Sequence, residues 1–206
     1  MKKYKDFLIW ITITMGSQAL IYFLIKLFIS DYNIMHSFVS VPLFKYSIYI
    51  YDLWYPFVLI VSLLIYRQNK DIFKRMILVM LFSALLAQIT FIAYPSMIER
   101  PNIEVNDFTD WLLNTTYFYD TPAVNCLPSM HCTYCFIIIY YIIRCHNLNK
   151  RYSIGIIVFS FLIILSTLFT KQHILEDVIL AFCYTLLTIN ILNRIIYIKE
   201  SSKKVS

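Results

Sequence analysis

Residues 76–94 read MILVMLFSALLAQITFIAY, nineteen positions without one Asp, Glu, Lys, Arg or His. A helix of that length rises about 28 Å, close to the ~30 Å hydrocarbon layer of a bilayer. Lys74 and Arg75 precede the run and Pro95 follows it, so it is bounded by charge on one side and a helix stop on the other. Two further stretches, 7–25 and 152–170, have the same length and the same freedom from charge. Three are shorter: 53–66, 132–143 and 178–193, of 14, 12 and 16 residues. Residues 46–51 extend the first of these once Asp52 is allowed inside. The count is six transmembrane helices. The first run has no small-residue cleavage site and is expected to remain as a helix.

Composition agrees. Hydrophobic residues make up 60% of the 206, charged residues 15%, and mean hydropathy is +0.67. A soluble domain carries about 25% charged residues. Two glycines exclude a Gly-rich phosphate loop or a dinucleotide fingerprint. The excess of Ile, Leu, Phe and Tyr excludes disorder. A net charge of +6 would point to nucleic acid only if the basic residues shared one soluble face. Here they fall in short clusters between apolar runs, so the balance reads as membrane topology and no nucleic-acid partner is expected.

Loop charge gives the orientation. Lys2, Lys3 and Lys5 face one acid, Asp6, before the first run; Arg67, Lys70, Lys74 and Arg75 lie between the second and third; Arg144, Lys150 and Arg151 lie between the fourth and fifth; Arg194, Lys199, Lys203 and Lys204 follow the sixth. The alternate loops are poor in base: Lys45 alone in 30–47, Arg100 alone against five acids in 95–130, and Lys171 in the last. The expected fold is therefore an all-α polytopic membrane protein, a bundle of six transmembrane helices with both termini cytoplasmic. With no repeat and no low-complexity linker, the whole chain, 1–206, reads as a single membrane-embedded domain.

Ionisable groups at the rim of a membrane are costly and mark function by default. Three clusters lie on the base-poor side: Arg100 after the third helix, Ser129 and His131 at the start of the fourth, and Lys171, His173 and Asp177 at the start of the sixth. His173 and Asp177 are four apart and share a helical face. A carboxylate beside an imidazole fixes its tautomer and leaves the other nitrogen to act as nucleophile or base. His131 can supply the opposite proton transfer. Arg100 and Lys171 can hold phosphoryl oxygens, and Ser129 opens a helix N-terminus that favours an anion. Together these groups make a phosphoryl-transfer site in which no metal and no cofactor is expected. Singly, each has a plainer reading: an interfacial His, a structural His–Asp bond, an ordinary loop Arg, a snorkelling Lys, an N-cap Ser. Their convergence on one side is what favours a shared site. Cys132 and Cys135 form a C-x-x-C near His131, but no second ligand pair at zinc spacing is present and the two read as small apolar fillers.

At these residues the chain resembles the type 2 phosphatidic acid phosphatase superfamily, whose motifs are Lys-x6-Arg-Pro, Pro-Ser-x-His and Ser-Arg-x5-His-x3-Asp. Pro128-Ser129-Met130-His131 is intact; Ser166, His173 and Asp177 keep the third motif's register; Arg100-Pro101 keep the end of the first. The expected lysine at 93 is Ala93 and the expected arginine at 167 is Thr167, and Lys171 stands as a candidate replacement. Lys171-Gln172-His173, and Asp120-Thr121-Pro122 with Asn125, look like the branch containing the inositol-phosphoceramide and sphingomyelin synthases. The resemblance covers about 46–197, the expected catalytic core. It implies that His173 attacks phosphorus, Asp177 orients it, His131 protonates the leaving group, and Arg100, Ser129 and Lys171 bind the phosphoryl oxygens. The expected activity is hydrolysis of a lipid phosphate or pyrophosphate (phosphatidic acid, phosphatidylglycerol phosphate or polyprenyl pyrophosphate) through a phosphohistidine, at the outer face of the cell membrane. The competing readings are transfer of a phosphoryl-headgroup to a lipid alcohol, and a non-catalytic transporter or scaffold. Within the long outer loop, 108–118 carries Trp111, Leu112, Tyr117 and Phe118 and suits an interfacial helix beside the site, either guiding a headgroup or serving as an aromatic anchor. The role of Asp52 and the oligomeric state stay open.

Overall fold

The computed structural model describes residues 4–205, with side chains to residue 196. Lys2 and Lys3, and the side chains of Lys199, Lys203 and Lys204, lie outside the described residues. The chain is almost wholly helical: α1 (Lys5–Phe28), α2 (Ile48–Asp52), α3 (Trp54–Gln68), α4 (Lys70–Ala93), α5 (Phe108–Tyr119), α6 (Met130–Arg144), α7 (Lys150–Phe169) and α8 (Leu175–Val205). Five helical segments are long and apolar enough to cross a membrane, the second being Lys45–Gln68, which joins a 3-10 turn, α2 and α3. The sixth, α6, has 15 residues, or about 22 Å. Its start is set inside the bundle: Ala123–Cys126 and Ser129 are buried, so irregular backbone takes up the missing depth under cover of protein.

Local chemistry explains the breaks. Pro56 has no N–H to offer the Asp52 carbonyl, and the helix resumes with Phe57 N donating to Leu53 O at 3.0 Å. That divides the second span into α2 and α3 at Leu53. The hairpin between α3 and α4 turns on Asn69, whose side chain accepts from Asp71 N and Ile72 N at 3.0 Å. Asn149 caps α7 in the same way, accepting from Arg151 N at 2.9 Å.

At the centre stands α4, packed against α1, α3, α6 and α8. Its Phe73, Met76, Ile77, Met80, Ala84, Ala87 and Phe91 are buried in one cluster with Val58, Ile65, Tyr134 and Ile138 of the neighbouring helices. Hydroxyls join helices where lipid offers no partner: Ser83 donates to Thr188 at 2.9 Å, and Thr185 to the Thr133 carbonyl at 3.4 Å.

The base-poor loops all meet at one end of the bundle. Two short strands, β1 (Asn33–Met35) and β2 (Ser96–Ile98), pair in parallel with Asn33 opposite Ser96. This small sheet is absent from the sequence reading, because three-residue strands inside charged loops carry no periodicity. The basic turns 69 and 145–149 meet at the other end, where Asn147 donates to Gln68 O at 3.3 Å and the Tyr4 and Tyr66 ring centroids lie 6.3 Å apart.

The outer segment becomes the helix α5, with a capping box in which Asp107 accepts from Asp110 N and Asp110 accepts from Asp107 N. Lys45 bridges both carboxylates at 2.7 and 2.8 Å. Phe108, Trp111, Phe118 and Tyr119 are exposed, whereas Leu113 and Tyr117 are buried against Ile48 and Tyr51. Tyr117 therefore faces the protein rather than the bilayer surface.

Candidate active site

The turn after α7 positions the first imidazole. Lys171 N donates to Leu168 O at 3.1 Å and Gln172 N to Thr167 O at 3.0 Å, the paired bonds of a Schellman motif. Lys171 holds the left-handed position, φ 55°, where glycine is usual. The chain then reverses into α8, and Asp177, in the first turn, reaches back to accept from Ile174 N at 3.1 Å. The same oxygen, Oδ2, lies 3.0 Å from Nδ1 of His173. Asp177 is fully buried. With Nδ1 engaged by the carboxylate, Nε2 of His173 is the nitrogen left for chemistry.

The second imidazole rides on the first turn of α6. Ser129 is fully buried and caps that helix through Cys132 N at 3.3 Å; its own N–H donates to the Asp177 carbonyl at 3.3 Å. That bond ties the starts of α6 and α8 together. The ring of His131 packs against Tyr51 and Trp54, centroids 4.8 and 4.3 Å away, and Trp54 Nε1 donates to the His131 carbonyl at 3.2 Å. His131 and His173 face each other with ring centroids 5.9 Å apart. His131 Nε2 is buried and makes no hydrogen bond among the described residues.

Arg100 stands one residue further out. Its guanidinium bonds to the Asp120 carboxylate and to Oε1 of Gln172, and lies over the Tyr117 ring at 4.9 Å. Asp120 also accepts from Tyr22 of α1 at 2.6 Å. Tyr117 donates to Thr170 O at 2.6 Å, so one ring supports both Arg100 and the turn before His173. Burial pushes the Tyr117 hydroxyl up to about 12, which keeps it a donor. Lys171 bonds to the Val41 carbonyl, pointing away from His131.

Two cavities meet at His173. The larger, about 680 Å³, is lined by His131, His173, Gln172, Asn125, Asp120 and Tyr22 at its polar end and by Met15, Ala19, Phe23 and Phe91 beyond. Asp52, beside Thr116 of α5, also lines it. The smaller, about 310 Å³, is lined by Lys171, His36, Ser37 and Glu99 on the loop side.

Of the residues singled out in the sequence, His131, His173, Asp177 and Ser129 are brought together, Arg100 joins through Gln172, and Lys171 lies on the rim of the smaller cavity. Ala93 is exposed, and Thr167 is buried beside Cys132 at 3.6 Å, so neither position of a missing family cation opens on either cavity. Cys132 and Cys135 are fully buried, and among the described residues no three His, Cys, Asp or Glu lie close enough to share a metal ion. Nothing in the sequence singled out Tyr22, and Gln172 stood out only as part of the Lys171-Gln172-His173 string; their partners, Asp120 and Arg100, lie 98 and 72 residues away.

A family model, described as PAP2 superfamily, matches residues 18–191. The chain belongs to the PAP2 superfamily. Comparison with curated proteins and with solved structures gives no match. PAP2 membership supports a phosphatase-type activity on lipid phosphates, in keeping with the membrane-spanning fold. The match begins inside α1, the helix that supplies Tyr22, upstream of the motif-bearing stretch.

Proposed function

We propose that this PAP2 protein is a membrane-embedded lipid phosphatase working through a phosphohistidine. The reading rests on one observation: an Asp-supported His173 and an aromatic-packed His131, rings 5.9 Å apart, at the polar end of a cavity that continues between Met15, Ala19, Phe23 and Phe91. In the first step Nε2 of His173 attacks phosphorus, the bond to the lipid oxygen breaks, and protonated His131 donates its proton to that oxygen. In the second, neutral His131 takes a proton from water, the hydroxide displaces His173, and phosphate leaves. Asp177 stabilises the imidazolium character that His173 gains at each transition state. Ser129 acts by setting the α6 N-terminus, whose first-turn N–H groups favour an anion. Arg100 acts on the site through Gln172, and Lys171 lines the smaller cavity beside His173.

The shape of the larger cavity supports a lipid. At the basic end α1 and α3 touch, with Phe7 against Tyr66 at 5.6 Å. Towards the site they part, and Met15, Gly16, Ala19 and Phe23 of α1 line the gap. A side-chain carbon at Gly16 would meet nothing within 4 Å. Acyl or prenyl chains fit there, with the phosphate at the histidines. The concentration of Arg67, Lys70, Arg144 and Lys150 at the opposite end supports a site at the outer face by the positive-inside rule.

The test is phosphate release by purified protein in detergent containing EDTA, over phosphatidic acid, phosphatidylglycerol phosphate, diacylglycerol pyrophosphate and polyprenyl pyrophosphate. Vanadate-sensitive release from at least one is expected. Transfer to an added alcohol without phosphate release would move the protein to the transferase reading; neither reaction on any of the four would overturn both.

A further inference from the structure

Phosphoryl transfer needs donors around three non-bridging oxygens, and in this chain the cations are short. Ala93 and Thr167 stand where family cations are expected and open on neither cavity. Arg100 is already bonded to the carboxylate of Asp120, so its charge is largely compensated. Lys171 is bonded to Val41 O at the other rim. Four side-chain amides line the larger cavity instead, Gln18 and Gln88 from α1 and α4, and Asn125 and Gln172 from the loops that lead into the two histidines.

Asn125 is 5% exposed and Gln172 is 2% exposed, and both line that cavity with the two histidines. Among the described residues neither Nδ2 nor Oδ1 of Asn125 makes a hydrogen bond, and Nε2 of Gln172 makes none. Buried amide groups left without partners are uncommon, and each calls for a ligand or a structural reason. The local structure shows that both amides are held in place. Asn125 has φ 58°, a left-handed conformation that Asn tolerates, and its N–H is pinned to Ser96 O at 2.9 Å. Gln172 gives Oε1 to Arg100, which turns its NH₂ group away from the guanidinium. The Arg100 charge polarises that amide, so the cation acts on the cavity through a neutral dipole. Fixed dipoles in a water-poor pocket stabilise developing anionic charge without reorganising.

We propose that the side-chain amides of Asn125 and Gln172 bind the phosphoryl group, donating from Nδ2 and Nε2 to its non-bridging oxygens while it lies between His131 and His173. The inference rests on the phosphoryl-transfer reading given above. It makes the site one in which amide dipoles replace two missing cations.

Two variants separate binding from folding. Asn125→Gly removes the amide, adds no charge and suits a positive φ. Gln172→Glu keeps an oxygen for Arg100 and removes the donor. The probe is orthovanadate, with affinity measured by titration of the purified protein in detergent and melting temperature followed in parallel. Each variant is expected to bind vanadate about 10- to 100-fold more weakly than wild type, the range for a hydrogen bond to a charged group, with its melting temperature within a few degrees. Affinity within twofold of wild type in either variant overturns the assignment of that residue. If wild type binds vanadate in this amide-dependent way yet releases phosphate from no lipid, the hydrolase reading falls and the amide site stands. If phosphate is released while vanadate affinity ignores both substitutions, the reverse holds.

Discussion

One carboxylate oxygen serves two groups: Oδ2 of Asp177 accepts from Ile174 N at the start of α8 and from Nδ1 of His173. The helix cap and the histidine's tautomer are thereby set by the same atom. Asp177→Asn keeps the shape but offers an amide in place of a full charge, so the imidazolium loses its counter-ion. Its kcat is expected to fall about 10²- to 10⁴-fold with little change in KM, measured by phosphate release from the preferred lipid. His173→Ala removes the nucleophile; activity above a few per cent of wild type, or ³²P still trapped on the variant after an alkaline quench that preserves phosphohistidine, would count against His173 as the covalent nucleophile. Asp177 and His173 were visible as an i,i+4 pair in the sequence. Gln172 was visible only as the middle of Lys171-Gln172-His173; its bond to Arg100 was not, because that partner lies 72 residues away.

At the scale of the element, α5 is the instructive case. Its amphipathic pattern is legible, but which aromatic faces inward is not: Tyr117 is buried beneath Arg100 while Trp111 and Phe118 stay outside. The helix is anchored by Lys45 on Asp107 and Asp110. Asp110 is buried and accepts from the N–H groups of Asn106 and Asp107, both at 3.2 Å. Asp110→Ala leaves those donors without their acceptor and is expected to cost about 1–3 kcal/mol, read as a lower melting temperature in detergent. Asp107 titrates below the usual carboxylate range, because Lys45 hydrogen-bonds to it and the Asp110 N–H donates to it. A carboxylate held low contributes above its unfolded value, about 3.9, and loses that contribution as pH falls through the folded value. Trp111 fluorescence is therefore expected to stay flat from neutral pH down to about pH 4 and to change only below it.

The whole molecule has two ends of unlike charge. The strands, α5 and the turn at 170–174 close one end; the basic turns occupy the other. Asn102→Cys and Asn147→Cys report on the two ends, since both positions are exposed, four native cysteines are buried and Cys183 lies on the apolar α8. A membrane-impermeant maleimide on intact cells is expected to label Asn102→Cys, and to reach Asn147→Cys only after permeabilisation. The opposite pattern would put the site at the inner face.

Alone, the sequence determined the all-α membrane class, the run of apolar spans and the alternation of basic turns, because these depend on properties counted along the chain: length, charge and period. It also carried the His131, His173 and Asp177 pattern, since those spacings are local. What each side chain meets came from the packing of the helices and loops. Tyr22 reaches Asp120 across 98 residues, and Arg100 reaches Gln172 across 72. The buried entry to α6 and the β1–β2 pairing follow from close packing at one end of the bundle. A hydrogen bond is made within about 3 Å, and no period in a chain records which distant groups the fold will bring that close.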